Sequence, residues 1–496
     1  MVNRRAVRLL CWLFALLALV ALSSPPGSTH DEWYHLASIW CAQGEEDPYC
    51  KNIGYTDELG YSANLNFGGK YCQANPRQVL LCPPESQDDR RFAINQSLYP
   101  AGFYLLLSPL KSNSLEKSVL AMRWFSASVT SVVIVAGAVL LPVKHRTALL
   151  LMLLSAVGSS GYFLLASINP SAWVLSGIGM SLLSLHAAIS DAAIVRVRRV
   201  ALFGLWLFSS AIACISRWDA IPYACVTSML VIAQFTWRRF PRIRKRVAFF
   251  WITTPIIAWL SFERFSPFLP IFHYMSPTGE RKNISALLYT YLPGQPNNIA
   301  FYSENLLQAL PNALRALGTV PTVTLVRIPE LVYVTGLVIL GYLMVKTLNP
   351  RSLGQKLAFL FMVLVMALTV AAQVALLDSR DFGGIEPRYI HPLLLVAAGW
   401  WFLHSPGIES FRVSLKPIVV AAVASFALGN FAVTERFVDH QTDGIRILPE
   451  GVNQWWWTNL PFGPNVVILV APLCLWLFFK AYEQSFYPRD PQSFDS

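Results

Sequence analysis

The stretch PPGSTHDEWYHLASIW, residues 25–40, carries the side chains best suited to acid–base chemistry in this chain. Asp31 and Glu32 are adjacent acids, and at 100° per residue Asp31, His35, Ser38 and Ala42 share one side of a helix while Trp33, Leu36 and Trp40 share the other. Pro25, Pro26 and Gly27 end the preceding element, and Thr29 with Glu32 fits a capping box that starts the next. A short interfacial helix with one polar face is expected. Two other readings use the same residues. The acids can merely favour the positive end of that helix, with His35 a solvated surface residue. Alternatively D-E-x-x-H resembles a zinc-protease helix with Asp31 and His35 as ligands and Glu32 as base, although no third ligand is evident.

These residues need a scaffold, and the composition says what kind. Of 496 residues, 54% are apolar and only 14% charged, against roughly 25% charged in an ordinary soluble protein. With a mean hydropathy of +0.46 and repeated apolar runs of spanning length, the solvent is largely lipid. Disorder is excluded and a water-soluble enzyme is disfavoured. The net charge of +11 forms no single basic patch. It is dispersed in short clusters between apolar runs, the densest being Arg238, Arg239, Arg242, Arg244, Lys245 and Arg246, so it reports topology under the positive-inside rule and not nucleic-acid binding.

Spans are expected near 7–24, 118–141, 147–166, 172–194, 200–216, 220–237, 247–264, 329–346, 356–377, 389–404, 417–433 and 465–482, an all-α polytopic membrane protein of about twelve transmembrane helices. Arg4, Arg5 and Arg8 put the N-terminus inside, and each later cytoplasmic turn carries bases: Lys144 and Arg146; Arg196, Arg198 and Arg199; the dense cluster; Lys346, Arg351 and Lys356; Arg412 and Lys416. The chain then divides into a first helix (1–24), an extracytoplasmic loop with the candidate helix (25–116), helices two to seven (117–264), an outer segment (265–328), helices eight to eleven (329–433), an outer loop (434–464), and the last helix with a cytoplasmic tail (465–496). A cleaved signal peptide is the rival reading of the first span, and it leaves the external loops external.

The first outer loop has eleven acids against six bases over residues 23–116, opposite in sign to the cytoplasmic turns, and holds Cys41, Cys50, Cys72 and Cys82. Three disulfide connectivities are open there, with Cys41–Cys50 and Cys72–Cys82 favoured by short spacing; a metal site is disfavoured because no C-x-x-C occurs. Cys11, Cys214, Cys225 and Cys474 lie in spans as small apolar fillers. Arg217 and Arg388 fall at external helix ends, level with lipid headgroups, where a guanidinium fork suits a phosphate, and Tyr389 and His391 add polar groups beside Arg388. Snorkelling or a local ion pair is the competing account of each arginine. Trp455, Trp456 and Trp457 fit an aromatic belt better than a sugar platform, and Arg123 and His186, both within spans, read as structural. Neither a Walker A loop nor a GxGxxG after a strand is present.

A transmembrane helix followed by an external acid pair and a nearby His, at the start of a large first loop, resembles the GT-C superfamily of polyprenyl-phosphate-sugar glycosyltransferases. PPGSTHDEWYH, INPS (168–171), SRWDA (216–220) and EPRYIHPLL (386–394) together resemble a largely uncharacterised bacterial family of predicted multi-pass membrane proteins allied to those enzymes. The resemblance implies a sugar transfer at the outer face of the cell membrane, from a polyprenyl-phosphate donor to a glycan or lipid acceptor. Asp31 would be the general base, Glu32 its nearest substitute and His35 beside them; Arg388, Arg217 and Tyr389 would bind the donor phosphate. No cofactor is assigned on this reading and a divalent cation is left open; the lipid bilayer is a partner and nucleic acid is not. A transporter or flippase of lipid-linked saccharides is the alternative from another class, and a non-catalytic assembly partner a third. No internal repeat of the kind a transporter would show is evident.

Overall fold

The computed structural model describes residues 4–24, 26–27, 29, 32–40, 42, 50–52, 61–64, 90–92, 99–112, 114–191, 193–239, 273–275, 281–283, 330–376, 387–406, 408, 415–438, 457 and 460–486. The body is helical, as the apolar runs require. Its helices are α1 (Arg4–Val20), α2 (Glu32–Trp40), α3 (Ala101–Leu107), α4 (Leu115–Leu140), α5 (Val143–Met152), α6 (Gly158–Leu165), α7 (Pro170–Ser190), α8 (Arg196–Ser216), α9 (Ala220–Arg239), α10 (Glu330–Lys346), α11 (Leu353–Leu376), α12 (Pro387–Leu403), α13 (Leu415–Val438) and α14 (Pro464–Phe486). Among the described residues, six helices are long and apolar enough to cross a membrane: Leu115–Leu140, Pro170–Ser190, Arg196–Ser216, Ala220–Trp237, Leu415–Thr434 and Pro464–Phe486. Every expected span except 247–264, which lies outside the described residues, falls on a helical stretch.

The long connections also carry strands, which the sequence reading does not include. β1 (Cys50–Asn52), β2 (Tyr61–Asn64) and β3 (Arg90–Phe92) form an antiparallel sheet with Cys50 opposite Ala63 and Ser62 opposite Phe92, beside α2. β4 (His273–Met275) pairs with β5 (Arg281–Asn283). These short pairings leave the helical class unchanged.

Helix α7 is the hub. In its membrane-length stretch 94% of the residues are buried, and α4, α8, α9 and α12 pack around it. Close approach to α8 depends on Gly177, where a Cβ would lie 2.4 Å from the Ser209 carbonyl oxygen. A second group packs α1 against α4 and α14, and α13 against α14 and α10. The outward faces of α10, α11 and α14 stay apolar, with Val345, Leu360 and Leu469 more than half exposed, as lipid-facing surfaces should be.

One expected span is interrupted. Residues 147–166 read as a single helix, but Leu153–Val157 forms a π-helical turn ending at Gly158, whose φ of 59° is a left-handed conformation that glycine adopts without strain. Wide turns release carbonyls, and in lipid these must be satisfied internally. Here His391 Nε2 donates to Ala156 O and the Tyr162 hydroxyl donates to Leu153 O at 3.3 Å. His391, expected beside Arg388 as an external polar group, is thus 2% exposed and bound to the backbone of another helix.

Candidate functional site

The chain leaves α1 at Val20, turns through Gly27 with φ of 79°, and enters α2 at Glu32. Thr29 accepts the Glu32 amide through its backbone carbonyl at 3.0 Å, whereas its hydroxyl is buried without a hydrogen-bond partner among the described residues. The capping box does not form, because the Glu32 carboxylate is committed elsewhere. Arg123, from the third turn of α4, donates to it twice, Nε to Oε1 at 2.8 Å and Nη2 to Oε2 at 2.5 Å, and both side chains are 0% exposed. Oε2 also accepts the Gly27 amide at 2.9 Å. Arg123 Nη1 donates to the carbonyls of Ala21 and Ser24 at 2.5 and 2.8 Å, and the guanidinium lies 5.8 Å from the Trp457 ring. This buried group fastens the end of α1, the 21–27 turn and the first turn of α2 to α4.

Two expectations change here. Arg123 is structural, as read, but its partner is the acid of the candidate site. Trp457 is not a belt residue: it is 3% exposed and its indole N–H donates to Leu22 O at 3.0 Å, while Trp455 and Trp456 lie outside the described residues. A charged arginine inside a span demands an acid nearby, and that requirement is the signal that could have paired it with Glu32.

His35 sits one turn into α2. It is fully buried, against the solvated alternative, with Nδ1 3.0 Å from the Tyr104 hydroxyl and its ring edge-on to Tyr99 at 5.1 Å. Tyr104 belongs to α3, a seven-residue helix that the sequence reading passes over inside the first loop. Pro100 before it and the run FYLLL were the available signs. At the other end of α2, Lys111 Nζ donates to the Trp40 carbonyl at 3.2 Å, a cation at the negative end of the helix.

A second cluster joins two motifs that are far apart in sequence. Asn169 caps α7 by accepting the Ser171 amide at 2.9 Å. Arg217, at the end of α8, donates through Nη1 to the Ser171 hydroxyl at 2.6 Å, through Nε to Asp219 Oδ1 at 2.8 Å, and through Nη2 to Asp219 Oδ2. Tyr223 donates to the same carboxylate at 3.3 Å. Arg217 is 3% exposed and Asp219 30%, so the local ion pair of the sequence reading exists and takes up most of the fork.

Helix α3 bridges the clusters. While Tyr104 meets His35, Phe103 lies edge-on to Trp173 in the first turn of α7 at 4.9 Å, and Gly102 sits against Ile215 of α8, where a Cβ would fall 2.9 Å from the Ile215 Cβ. Glu32, His35, Ser171 and Arg217 are therefore gathered at one end of the bundle. Asp31 lies outside the described residues. Arg388 and Tyr389 lie in the first turn of α12, one turn before His391, with their side chains outside the described set. Cys41, Cys72 and Cys82 also lie outside it, Cys50 starts β1, and the cysteines described with their side chains, Cys11, Cys214, Cys225 and Cys474, are free thiols. Among the described residues no group of three or more His, Cys, Asp or Glu is arranged to hold a metal ion.

No curated protein and no solved structure matches the chain. The family described as "Predicted membrane protein (DUF2142)" matches residues 14–397, and the protein, with its apolar helices of spanning length, belongs to that family of membrane proteins.

Proposed function

We propose that the protein is a membrane glycosyltransferase of the GT-C type, with about twelve transmembrane helices, both termini cytoplasmic, and a catalytic face at the outer surface of the cell membrane. It moves a sugar from a polyprenyl-phosphate donor to a glycan or lipid acceptor. Asp31 is the general base and Arg388 with Tyr389 holds the donor phosphate. The observation that carries this reading is the buried Arg123–Glu32 anchor, which fixes the first turn of α2 immediately after Asp31 at the end of the bundle where Arg217 and Ser171 also lie. An ion pair is costly to bury, an ionisable group within a span is a functional-site candidate, and this pair holds the helix that follows Asp31.

Within this proposal Glu32 is a positioning residue, since Arg123 and Gly27 already occupy its oxygens. Arg217 takes a phosphate only by exchanging Asp219 for it. A lipid phosphate is a good leaving group, so the reaction needs a base for the acceptor hydroxyl and cations for the phosphate; a base contributes roughly 10²- to 10⁴-fold. Disulfides within 41–82 would brace the outer loop. The test is purified protein with a panel of polyprenyl-phosphate monosaccharides, read as release of polyprenyl phosphate. Asp31→Asn should lower turnover by about 10²-fold or more with donor binding retained, and Arg388→Lys should raise the donor KM first because the fork is lost. Full turnover by Asp31→Asn removes the base assignment, and no turnover of any donor by the wild type turns the case toward the transporter reading.

A further inference from the structure

At the opposite end of the bundle, four polar side chains from different helical segments form one hydrogen-bonded row. His145 Nε2 on α5 lies 2.9 Å from His186 Nδ1 on α7; His186 Nε2 lies 3.2 Å from Gln234 Oε1 on α9; Gln234 Nε2 meets Nε2 of His404, just beyond α12; and His404 Nδ1 lies 2.8 Å from the Trp400 carbonyl. His145 and His186 are each 4% exposed, and Trp400 packs on His186 and His404 with centroids 5.9 and 4.9 Å away.

A carbonyl only accepts, so His404 carries its hydrogen on Nδ1 and its Nε2 accepts from the Gln234 amide nitrogen. Gln234 Oε1 then accepts from His186 Nε2–H, and His186 Nδ1 accepts from His145 Nε2–H. One backbone carbonyl thereby sets the tautomers of three neutral rings. An extra proton is costly at each free position. On His404 Nε2 or His186 Nδ1 it would face another N–H, and His145 Nδ1 is buried with no hydrogen-bond partner among the described residues. The charged and titratable groups described on the surrounding elements are Lys144 and Arg146 on α5, Asp191 ending α7, Arg196, Arg198 and Arg199 on α8, Arg239 on α9, Lys356 on α11, and Lys480, Tyr482 and Glu483 on α14, which is two acids among many bases. Burial first, then Lys144 and Arg198, push His145 down to about 3. The row is also a poor proton wire, because the amide of Gln234 interrupts the imidazoles.

We propose that this row is an acid-sensitive clasp, which ties α5, α7, α9 and α12 together while its rings are neutral and opens that end of the bundle when any ring gains a proton. Rings held neutral in the closed form charge on opening, so opening binds protons. Closure therefore weakens as pH falls below the ordinary histidine value of about 6.5, by about tenfold per pH unit for each ring that charges.

The test is hydrogen–deuterium exchange of the full-length protein in lipid nanodiscs at pH 7.5, 6.5 and 5.5, corrected for intrinsic exchange rates. Protection at 184–190 and 400–405 should fall at least about tenfold between pH 6.5 and 5.5, while residues 16–24 at the other end hold theirs. His145→Gln still offers a donor to His186 but cannot titrate, and should remove about one factor of ten per pH unit from that slope. Flat protection in the wild type, or an unchanged slope in His145→Gln, overturns the proposal. If the variant does not fold, histidine ¹⁵N spectra of the wild type decide at pH 7: neutral rings protonated at Nε2, Nε2 and Nδ1 for 145, 186 and 404 support it, and an imidazolium at 145 or 186 overturns it.

Discussion

Breaking the Arg123–Glu32 pair should be far more damaging than its location near a loop suggests. Both side chains are 0% exposed and share two hydrogen bonds of 2.8 and 2.5 Å, so removing one partner strands the other's charge in an apolar surround. Truncating one member of such a buried pair costs about 3–5 kcal/mol, which is roughly a 150- to 4,000-fold shift in the equilibrium between docked and undocked α2. Glu32→Ala should sit at the upper end, because Arg123 loses its acid and keeps neutral partners such as the Ala21 and Ser24 carbonyls. Arg123→Met should sit lower, because Glu32 keeps the Gly27 amide. Replacing both by apolar residues of similar volume removes the stranded charge, and the double variant should recover to within about 2 kcal/mol of the wild type. Denaturant titration in mixed micelles, followed through tryptophan fluorescence, measures the cycle. Single variants each below about 1 kcal/mol, or a double variant equal to the sum of the singles, would refute the view that the pair is a buried anchor.

Three further outcomes are expected. Cysteines introduced at positions 90 and 242 should label from opposite sides of the membrane, and labelling from one side would overturn the orientation. Non-reducing peptide mass spectrometry should find at least one disulfide within 41–82, worth roughly 3 kcal/mol for a loop of about ten to fifteen residues; four free thiols there would remove that expectation. Gly177→Ala should separate α7 from α8, since the new Cβ would lie 2.4 Å from the Ser209 carbonyl oxygen, at a cost of about 1–3 kcal/mol in thermal stability assays; a neutral result would mean that the two helices can slide apart freely.

Apolar runs suffice to set helix positions in a membrane chain, because each helix satisfies its own backbone within the run. For that reason α4, α7, α8, α9, α13 and α14 lie where hydropathy puts them, within a few residues. The helix start near Glu32 was legible for the same local reason, although the capping box itself does not form, and so was the Arg217–Asp219 turn, whose partners are two residues apart. The break at Leu153–Val157 was not, since a π-turn needs carbonyl partners such as His391, which arrive from a distant helix.

Local sequence determined which residues carry charge and where helices begin; only the tertiary structure decided what those charges do. Glu32 and Arg123 are 91 residues apart, Ser171 and Arg217 are 46, and His35 and Tyr104 are 69. In each case a helix start or a span supplies one group, and packing of a different helix supplies the other. Burial then makes the pairing compulsory, because an ion or hydrogen-bonding group removed from water must find its partner inside the protein, and nothing in the neighbouring residues says which partner that will be.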